Sequence, residues 1–193
     1  VNIGGTQAGS PPGGYCKFNT PTLRVQPGEY LTDRLTDESV RFIDQNREQP
    51  FFLYLAHYAV HIPLQPKEEV AARYRNAIKP DAIHSNAFYA AMVESVDDSV
   101  GRIMRKLDDV SLAENTIVVF TSDNGGVATA QGSPTSNAPL REGKGWTAEG
   151  GLRVPLLVRS RGHILPRSVS TEPVTAPDVY PTLLELAGVD APP

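Results

Sequence analysis

Three short apolar runs occur among four stretches of helical periodicity along the 193-residue chain, in the order helix, strand, two helices, two strands and helix, and this order indicates the fold class. The runs are PFFLYLA at 50–56, TIVVFTS at 116–122 and VPLLVRS at 154–160. They are short and carry almost no polar alternation, which is typical of strands covered on both faces. The sequence therefore predicts an α/β fold with a mostly parallel sheet flanked by helices.

Four segments have helical periodicity. The clearest is 86–110, where one apolar stripe is formed by Met92, Val96, Val100, Ile103 and Leu107. Other helices are predicted from about 32 to 46, near 67–75 and over 178–188. The last has Asp178 as a plausible N-cap and Gly188 just beyond its end.

The first 30 residues are rich in glycine, proline, threonine and asparagine and are predicted to be irregular. We therefore expect an α/β core over 31–190, within a single partial domain that takes in residues 1–193.

Composition excludes several classes of function. The chain has 18 basic and 22 acidic residues, and the basic ones are too scattered to form the stripe that nucleic acid requires. No apolar run approaches the ~20 residues of a membrane-spanning helix. Cys16 is the only cysteine, so no internal disulfide can form.

Polar residues follow two of the predicted strands. The segment HYAVH, with His57 and His61, follows the first run, and Asp123 and Asn124 follow the second. Ligands of parallel sheets gather beyond the carboxyl ends of the strands, which predicts that both segments lie on one rim. Asp123 and Asn124 offer the hard oxygen ligands that Ca²⁺ and Mg²⁺ prefer. The alternative is an ordinary turn, in which Asp, Asn and Gly are common.

Two further side chains are candidates for binding an anion or moving a proton. His61 suits proton transfer near neutral pH, whereas for His57 we favour a structural hydrogen bond to the loop backbone. Lys144 lies between two glycines and either presents its charge to an anion or is an ordinary solvated lysine. It is not part of a nucleotide-binding P-loop, because position 138 is alanine and position 145 is glycine.

Taken together, these stretches resemble the type I, formylglycine-dependent sulfatases of the alkaline-phosphatase superfamily. The matching segments occur in the order typical of that family: PGEYLTDRLTDESVRFI, PFFLYLAHYAVHIPLQ, YAAMVESVDDSVGRI, ENTIVVFTSDNGG, PTSNAPLREGKG, EGGLRVPLLVR and DVYPTLLELAG. The resemblance implies an alkaline-phosphatase-like fold, hydrolysis of sulfate esters and one divalent cation, usually Ca²⁺ with Mg²⁺ as the alternative. It also implies a formylglycine nucleophile, made from a C/S-x-P-x-R motif.

The resemblance also implies roles for four residues. Asp123 and Asn124 match the metal-binding pair. His61 matches the histidine that binds sulfate and protonates the leaving group, and Lys144 matches the sulfate-binding lysine. The substrate class it implies is a sulfate ester, such as a carbohydrate sulfate, and the location it implies is periplasmic or secreted.

The sequence departs from the family in ways that leave alternatives open. Cys16 lies in GYCKFN, which lacks the Pro and Arg of the motif, so no nucleophile is assigned and formylglycine is expected only in a parent protein. We interpret the chain as a central-to-C-terminal part of a sulfatase catalytic domain, expected to be inactive alone and to self-associate. Two alternatives are a phosphodiesterase or phosphatase of the same superfamily and a non-catalytic binding protein on the same fold.

Overall fold

The computed structural model describes residues 28–79, 81–129 and 132–190. The chain divides into two compact units, Val1–Arg161 and Gly162–Pro193. In chain order, the described elements are α1 (Leu31–Gln45), α2 (Glu68–Ala77), α3 (Ala87–Asp109), a 3₁₀ turn (Ala113–Asn115), β1 (Val118–Thr121), α4 (Glu149–Leu152), β2 (Leu156–Arg159) and α5 (Ala176–Leu186).

Helix α3 is the centre of the first unit, because both α1 and α2 pack against it. The helix begins after Asn86, whose side-chain oxygen accepts hydrogen bonds from the backbone N–H groups of Phe88 and Tyr89 at 3.0 Å. One core cluster contains Ile43 and Leu107, and another contains Val70, Ala71 and Ala91. The predicted apolar stripe is confirmed at its two ends, where Met92 and Leu107 are buried.

The helix predictions are confirmed to within a few residues, with a correction at α5. Its N-cap is Thr175 rather than Asp178. The Asp178 carboxylate accepts hydrogen bonds from the Thr175 backbone N–H and hydroxyl, both at 2.7 Å. Gly188 follows the helix with a φ of +65°, as predicted for a residue just past the end. The irregular segment predicted at 1–30 falls almost entirely outside the described residues.

The predicted strand at 50–56 is wrong in the described part of the chain. Residues 51–56 alternate between half-buried and exposed, so their pattern is period two. Phe51 and Leu53 pack against the Ile43–Leu107 cluster, whereas Phe52 and Tyr54 are 73% and 76% exposed. No described strand lies beside this segment, and without a neighbouring strand no ladder of hydrogen bonds forms.

The other two predicted strands are confirmed, but their pairing and burial differ from expectation. β1 and β2 pair antiparallel, with Val118 opposite Arg159 and Thr121 opposite Leu156. The parallel pairing expected of the sheet is therefore not found within the described ranges. Both strands expose apolar side chains, of which Leu157 is the most open at 58%. The sequence indicated strands covered on both faces, and the described residues do not supply that cover.

Across the residues that the structure describes, no helix combines the length and the apolar character that a membrane span requires.

We expect the 193-residue chain to self-associate through the β1–β2 pair. Exposed apolar strands invite pairing with a second chain. Leu157→Lys places a charge on the sheet and is expected to weaken the concentration dependence of the sedimentation coefficient. Leu152→Lys is the matched control, because Leu152 is also exposed, at 66%, but lies in α4. A chain that sediments as a monomer over the whole accessible concentration range would contradict this expectation.

Candidate functional site

Two loops of the first unit are joined through their backbones. We call residues 122–126 the aspartate loop and residues 137–151 the lysine loop. The Gly125 N–H donates to the Gly151 carbonyl at 3.0 Å, and the Lys144 N–H donates to the Gly126 carbonyl at 3.0 Å. These bonds fix the backbone of Lys144 beside the loop that carries Asp123 and Asn124.

Asn137 reinforces this pairing with its side-chain amide. The amide nitrogen donates to the carbonyls of Gly126 and Glu142, at 2.9 and 2.8 Å, and the amide oxygen accepts from the Gly126 N–H at 3.1 Å. Both donor hydrogens and the acceptor are therefore used. Asn137 was not predicted to be a site residue, because the composition of PTSNAP is typical of an ordinary loop. Its position one residue before Ala138-Pro139 gave no signal of a contact with residue 126.

The loops approach so closely that only glycine fits at several contacts. A Cβ atom at Gly125 would lie 1.7 Å from the Gly150 carbonyl oxygen, and one at Gly143 would lie 2.2 Å from the Gly126 carbonyl oxygen. Three more glycines would meet other atoms at less than 3.0 Å: Gly126, Gly150 and Gly151. These five glycines are therefore needed for close packing of the two loops, whereas Gly145 has open space around its Cβ position and is favoured by its positive φ.

Lys144 occupies the corner of a tight turn. The Trp146 N–H donates to the Gly143 carbonyl at 3.0 Å, and Gly145 has a φ of +90°. A positive φ at the third position of such a turn is the signature of a type II turn, and it favours glycine there. Lys144 is half-buried, and no ion pair engages its ammonium group among the described residues. Its charge is therefore uncommitted in this part of the structure.

Asp123 and Asn124 provide two adjacent oxygen donors. Asp123 is exposed, and no described hydrogen bond or ion pair engages its carboxylate. The Asn124 carbonyl accepts a hydrogen bond from the Ser122 hydroxyl at 2.9 Å, which shapes the turn. These donors fit a hard divalent cation chemically, but Ca²⁺ takes about 6–8 oxygens. The described ranges contain no group of three or more His, Cys, Asp or Glu side chains arranged to hold a metal.

His61 lies in a loop that is closed on itself. Its backbone N–H donates to the Tyr58 carbonyl at 2.9 Å, and its ring packs at a tilt on the Tyr58 ring, with 5.2 Å between centroids. The Ile62 carbonyl lies 2.7 Å from Nδ1 of His61. Because a carbonyl can only accept, Nδ1 carries a hydrogen. Nε2 is then the ring atom that is available to a ligand on this exposed side chain.

His57 belongs to a buried polar network. Its Nε2 lies 3.0 Å from the Ser99 hydroxyl, which lies 2.6 Å from the Thr36 hydroxyl, and Thr36 donates to the Thr32 carbonyl at 2.7 Å. Since Thr36 has one hydroxyl hydrogen, Ser99 donates to Thr36 and the Nε2–H of His57 donates to Ser99. Nδ1 is then a buried acceptor without a partner in the described residues. Burial accordingly lowers the pKa of His57. The hydrogen bond that we expected to the loop backbone is made to side chains instead.

Thr135, which precedes the lysine loop, lies beside both the aspartate loop and α3. A Cβ at Gly126 would lie 2.4 Å from its Cγ2 atom, and its side chain partly offsets the burial that raises the pKa of Tyr89 in α3. The same helix carries Ser99, the partner of His57. The His57 segment contacts α3 through Ser99, and the aspartate loop is near α3 through Thr135. No described hydrogen bond or ion pair links His61 directly to Lys144 or Asp123. Cys16 lies outside the described residues.

Comparison with known proteins identifies the family of the chain. A family model described as Sulfatase matches residues 5–189. A sulfatase of Formosa agariphila is 42% identical over 185 residues, which cover 90% of this chain and 33% of that protein. Human steryl-sulfatase is 36% identical over 174 residues, which cover 86% of this chain and 28% of that protein.

A solved structure is also similar. The crystal structure described as Ps i-CgsB in complex with k-i-k-neocarrahexaose superposes with a TM-score of 0.78 and is 41% identical. The match covers 87% of this chain and 36% of that one.

The chain belongs to the sulfatase family. It spans about a third of the length of the relatives that it matches. The predicted α/β class, with the alkaline-phosphatase-like fold of sulfatases, is confirmed by these similarities, and the described residues supply part of that fold.

We expect Gly125→Ala to separate the two loops. The new Cβ would overlap the Gly150 carbonyl oxygen, and overpacking of this kind costs about 1–3 kcal/mol. Gly101→Ala is the control, because its Cβ would meet only the flexible end of Arg105 at 3.3 Å within α3. That control is expected to raise stability by about 0.5–1 kcal/mol. Urea unfolding, followed by the emission of Trp146 in the lysine loop, measures both. Equal effects of the two substitutions would contradict the packing account.

We expect stability to fall as the pH decreases below about 6.5 because of His57. Its folded pKa lies below the usual value for a histidine because of burial, so the unfolded chain binds more protons as the pH falls. The contribution is complete above the unfolded pKa and is lost as the pH falls. The two carboxyls with lowered pKa values, Asp44 and Asp178, act only below about pH 4. Urea unfolding at several pH values should show a flatter profile for His57→Gln, but not for the exposed control His84→Gln. An unchanged profile in His57→Gln would refute the assignment.

Proposed function

We propose that the chain supplies the anion-binding, proton-donating and cation-binding side chains of an enzyme that hydrolyses sulfate esters. The observation that carries this proposal is the hydrogen bond from the Lys144 N–H to the Gly126 carbonyl. It holds a lysine with an uncommitted charge beside the loop that contains Asp123 and Asn124. A cation and an oxygen-donor pair at one place suit an oxyanion that is bound between a lysine and a metal ion.

Lys144 is assigned to sulfate binding. Its ammonium group extends from the corner of a turn fixed by Gly143 and Gly145, so the backbone beneath it is already ordered. A preorganised cation is most useful where negative charge increases, which in ester hydrolysis is on the sulfate and leaving-group oxygens during bond cleavage.

His61 is assigned to the leaving group. With Nδ1–H committed to the Ile62 carbonyl, protonation occurs at Nε2, and the Nε2–H then points away from that bond. An imidazolium N–H can bind a sulfate oxygen and deliver its proton to the departing oxygen.

Asp123 and Asn124 would hold a divalent cation, Ca²⁺ by resemblance and Mg²⁺ as the alternative. When bound, such an ion supplies Lewis acidity and orients the sulfate group. Because this chain provides two donors, affinity in the 193-residue chain alone is expected to be low.

The substrate that we propose is a carbohydrate sulfate. Support comes from the similarity to CgsB, whose structure is described as a complex with a neocarrahexaose. The C/S-x-P-x-R motif does not occur in these 193 residues, so turnover by the chain alone is not expected. A phosphodiesterase or phosphatase of the same superfamily is the alternative, and the match of residues 5–189 to the Sulfatase family model favours the sulfatase.

The proposed roles are tested by substitution in an enzyme that contains these residues together with a formylglycine segment. Lys144→Ala is expected to lower kcat by about 10²–10³ on every ester. His61→Ala should lower kcat most on alkyl or sugar sulfates, which need a proton delivered, and less on nitrophenyl sulfate. Asp123→Ala should lower activity and recover part of it at high Ca²⁺, because it removes a metal ligand.

The matched controls are Lys79→Ala and His84→Ala, which remove the same side-chain types from exposed positions. Their kinetics should equal those of the parent enzyme. If His61→Ala slows the good and the poor leaving groups equally, the assignment of His61 as a general acid is wrong. If Lys144→Ala leaves both kcat and KM unchanged, the sulfate site lies elsewhere.

A further inference from the structure

Trp146, the only tryptophan of the chain, is the last residue of the turn that carries Lys144. Its side chain is 53% exposed. Exposed aromatic side chains occur singly on many proteins and need no function. Trp146 differs from such residues in two respects. It lies in the turn of Lys144, and hydrogen bonds hold both its backbone and its indole N–H.

Trp146 is held by one contact of its indole ring and two contacts of its backbone. Its Nε1–H donates to the Thr129 hydroxyl at 2.9 Å, and its backbone N–H donates to the Gly143 carbonyl at 3.0 Å. A Cβ atom at Gly151 would lie only 2.2 Å from the carbonyl oxygen of Trp146, so the backbone of Trp146 packs against α4. An aromatic ring already held in place loses little conformational freedom when a ligand packs on it.

Other exposed aromatic residues lack this setting. Phe52 and Tyr54 are more exposed than Trp146, but they lie in the unpaired extended segment. Among the described residues, no side chain forms a hydrogen bond with the Tyr54 hydroxyl. The indole N–H of Trp146, in contrast, donates to the Thr129 hydroxyl. Trp146 thus presents apolar ring surface in the same turn as Lys144, whose ammonium group makes no ion pair among the described residues.

We propose that Trp146 contacts the sugar ring of a sulfated carbohydrate whose sulfate group binds Lys144. This inference rests on the function proposed above and adds a residue that determines specificity. A sugar ring has C–H groups on its faces and hydroxyl groups at its edge. The C–H groups suit the negative face of an indole. The polar group that the structure places at the edge of the indole is the Thr129 hydroxyl, which could also meet a sugar hydroxyl.

A sterol sulfate is the competing ligand, and the geometry favours the sugar. Binding of a large apolar ring system requires a concave pocket lined mostly by apolar side chains. The turn of Lys144 offers one aromatic ring between glycines, a threonine and charged residues. One aromatic face with polar neighbours is the environment that a sugar requires.

The test uses the emission of the 193-residue chain, in which Trp146 is the sole tryptophan. A sulfated galactan oligosaccharide such as neocarrahexaose should shift the emission to shorter wavelength and reduce quenching by acrylamide. Inorganic sulfate at the same concentration should leave both unchanged, because it does not reach the ring. An unsulfated galactan oligosaccharide should act only at much higher concentration.

Calorimetry on variants separates this inference from the proposed function. Lys144→Ala should abolish binding of the sulfated oligosaccharide, which tests the sulfate site. Trp146→Ala should weaken binding about tenfold, as expected for loss of a buried aromatic contact. Trp146→Phe should recover part of the affinity, and Tyr54→Ala is the control with an exposed aromatic side chain removed elsewhere. The far-UV circular dichroism of each variant checks that it folds, and the emission experiment needs no variant.

Each outcome decides between the two proposals. Suppose that Lys144→Ala abolishes binding, that Trp146→Ala leaves the affinity unchanged, and that the oligosaccharide does not shift the emission wavelength. The proposed role of Trp146 is then wrong, and the proposed sulfate site is retained. If a sterol sulfate moves the emission and the oligosaccharide does not, the substrate class is wrong. If no sulfated ligand binds in a Lys144-dependent way, both the inference and the proposed sulfate site fail.

Discussion

The backbone pairing of the aspartate loop with the lysine loop is the interaction on which the candidate site depends. Two hydrogen bonds, from Gly125 to Gly151 and from Lys144 to Gly126, join segments that are about twenty residues apart in the sequence. Glycines allow the approach, and the Asn137 amide provides the hydrogen-bond partners of the Gly126 N–H and the Glu142 carbonyl. Side chains that bind ions can be positioned accurately only if the backbone beneath them is fixed, and here it is fixed by hydrogen bonds between two loops and the short helix α4.

The helical layer gives this arrangement its support. Helix α3 is held by α1 and α2 through buried contacts around Leu107 and Ala91. It then reaches the loops through Tyr89 and Thr135, and the segment before His61 through Ser99 and His57. The neutral imidazole of His57 is held by hydroxyl groups rather than by a carboxylate, so burial alone determines the direction of its pKa shift. Helix α3 therefore both forms the core with α1 and α2 and helps to position the segments that carry the candidate site residues.

The helices were predicted well because their apolar residues recur at helical spacing, whereas the N-cap of α5 was placed three residues too late, at Asp178 instead of Thr175. Strand positions at β1 and β2 were also predicted, but their pairing was not, since an apolar run does not specify its neighbour. The segment 50–56 shows the same limit: its side chains alternate as in a strand, yet a ladder requires a partner that the described residues do not provide. Asn137 could not be found from the sequence, because its importance comes from contacts with residue 126.

Hydrogen exchange of individual amides, measured by NMR on the 193-residue chain, tests the pairing of the two loops most directly. The N–H groups of Gly125 and Lys144 both donate across the loop junction, whereas the neighbouring Gly145 has no such bond among the described contacts. The account predicts that Gly125 and Lys144 exchange slowly and together, with protection approaching that of amides in α3, while Gly145 exchanges fast. Exchange of Gly125 and Lys144 at the rate of an unstructured peptide, with α3 still protected, would show that the loops are not paired.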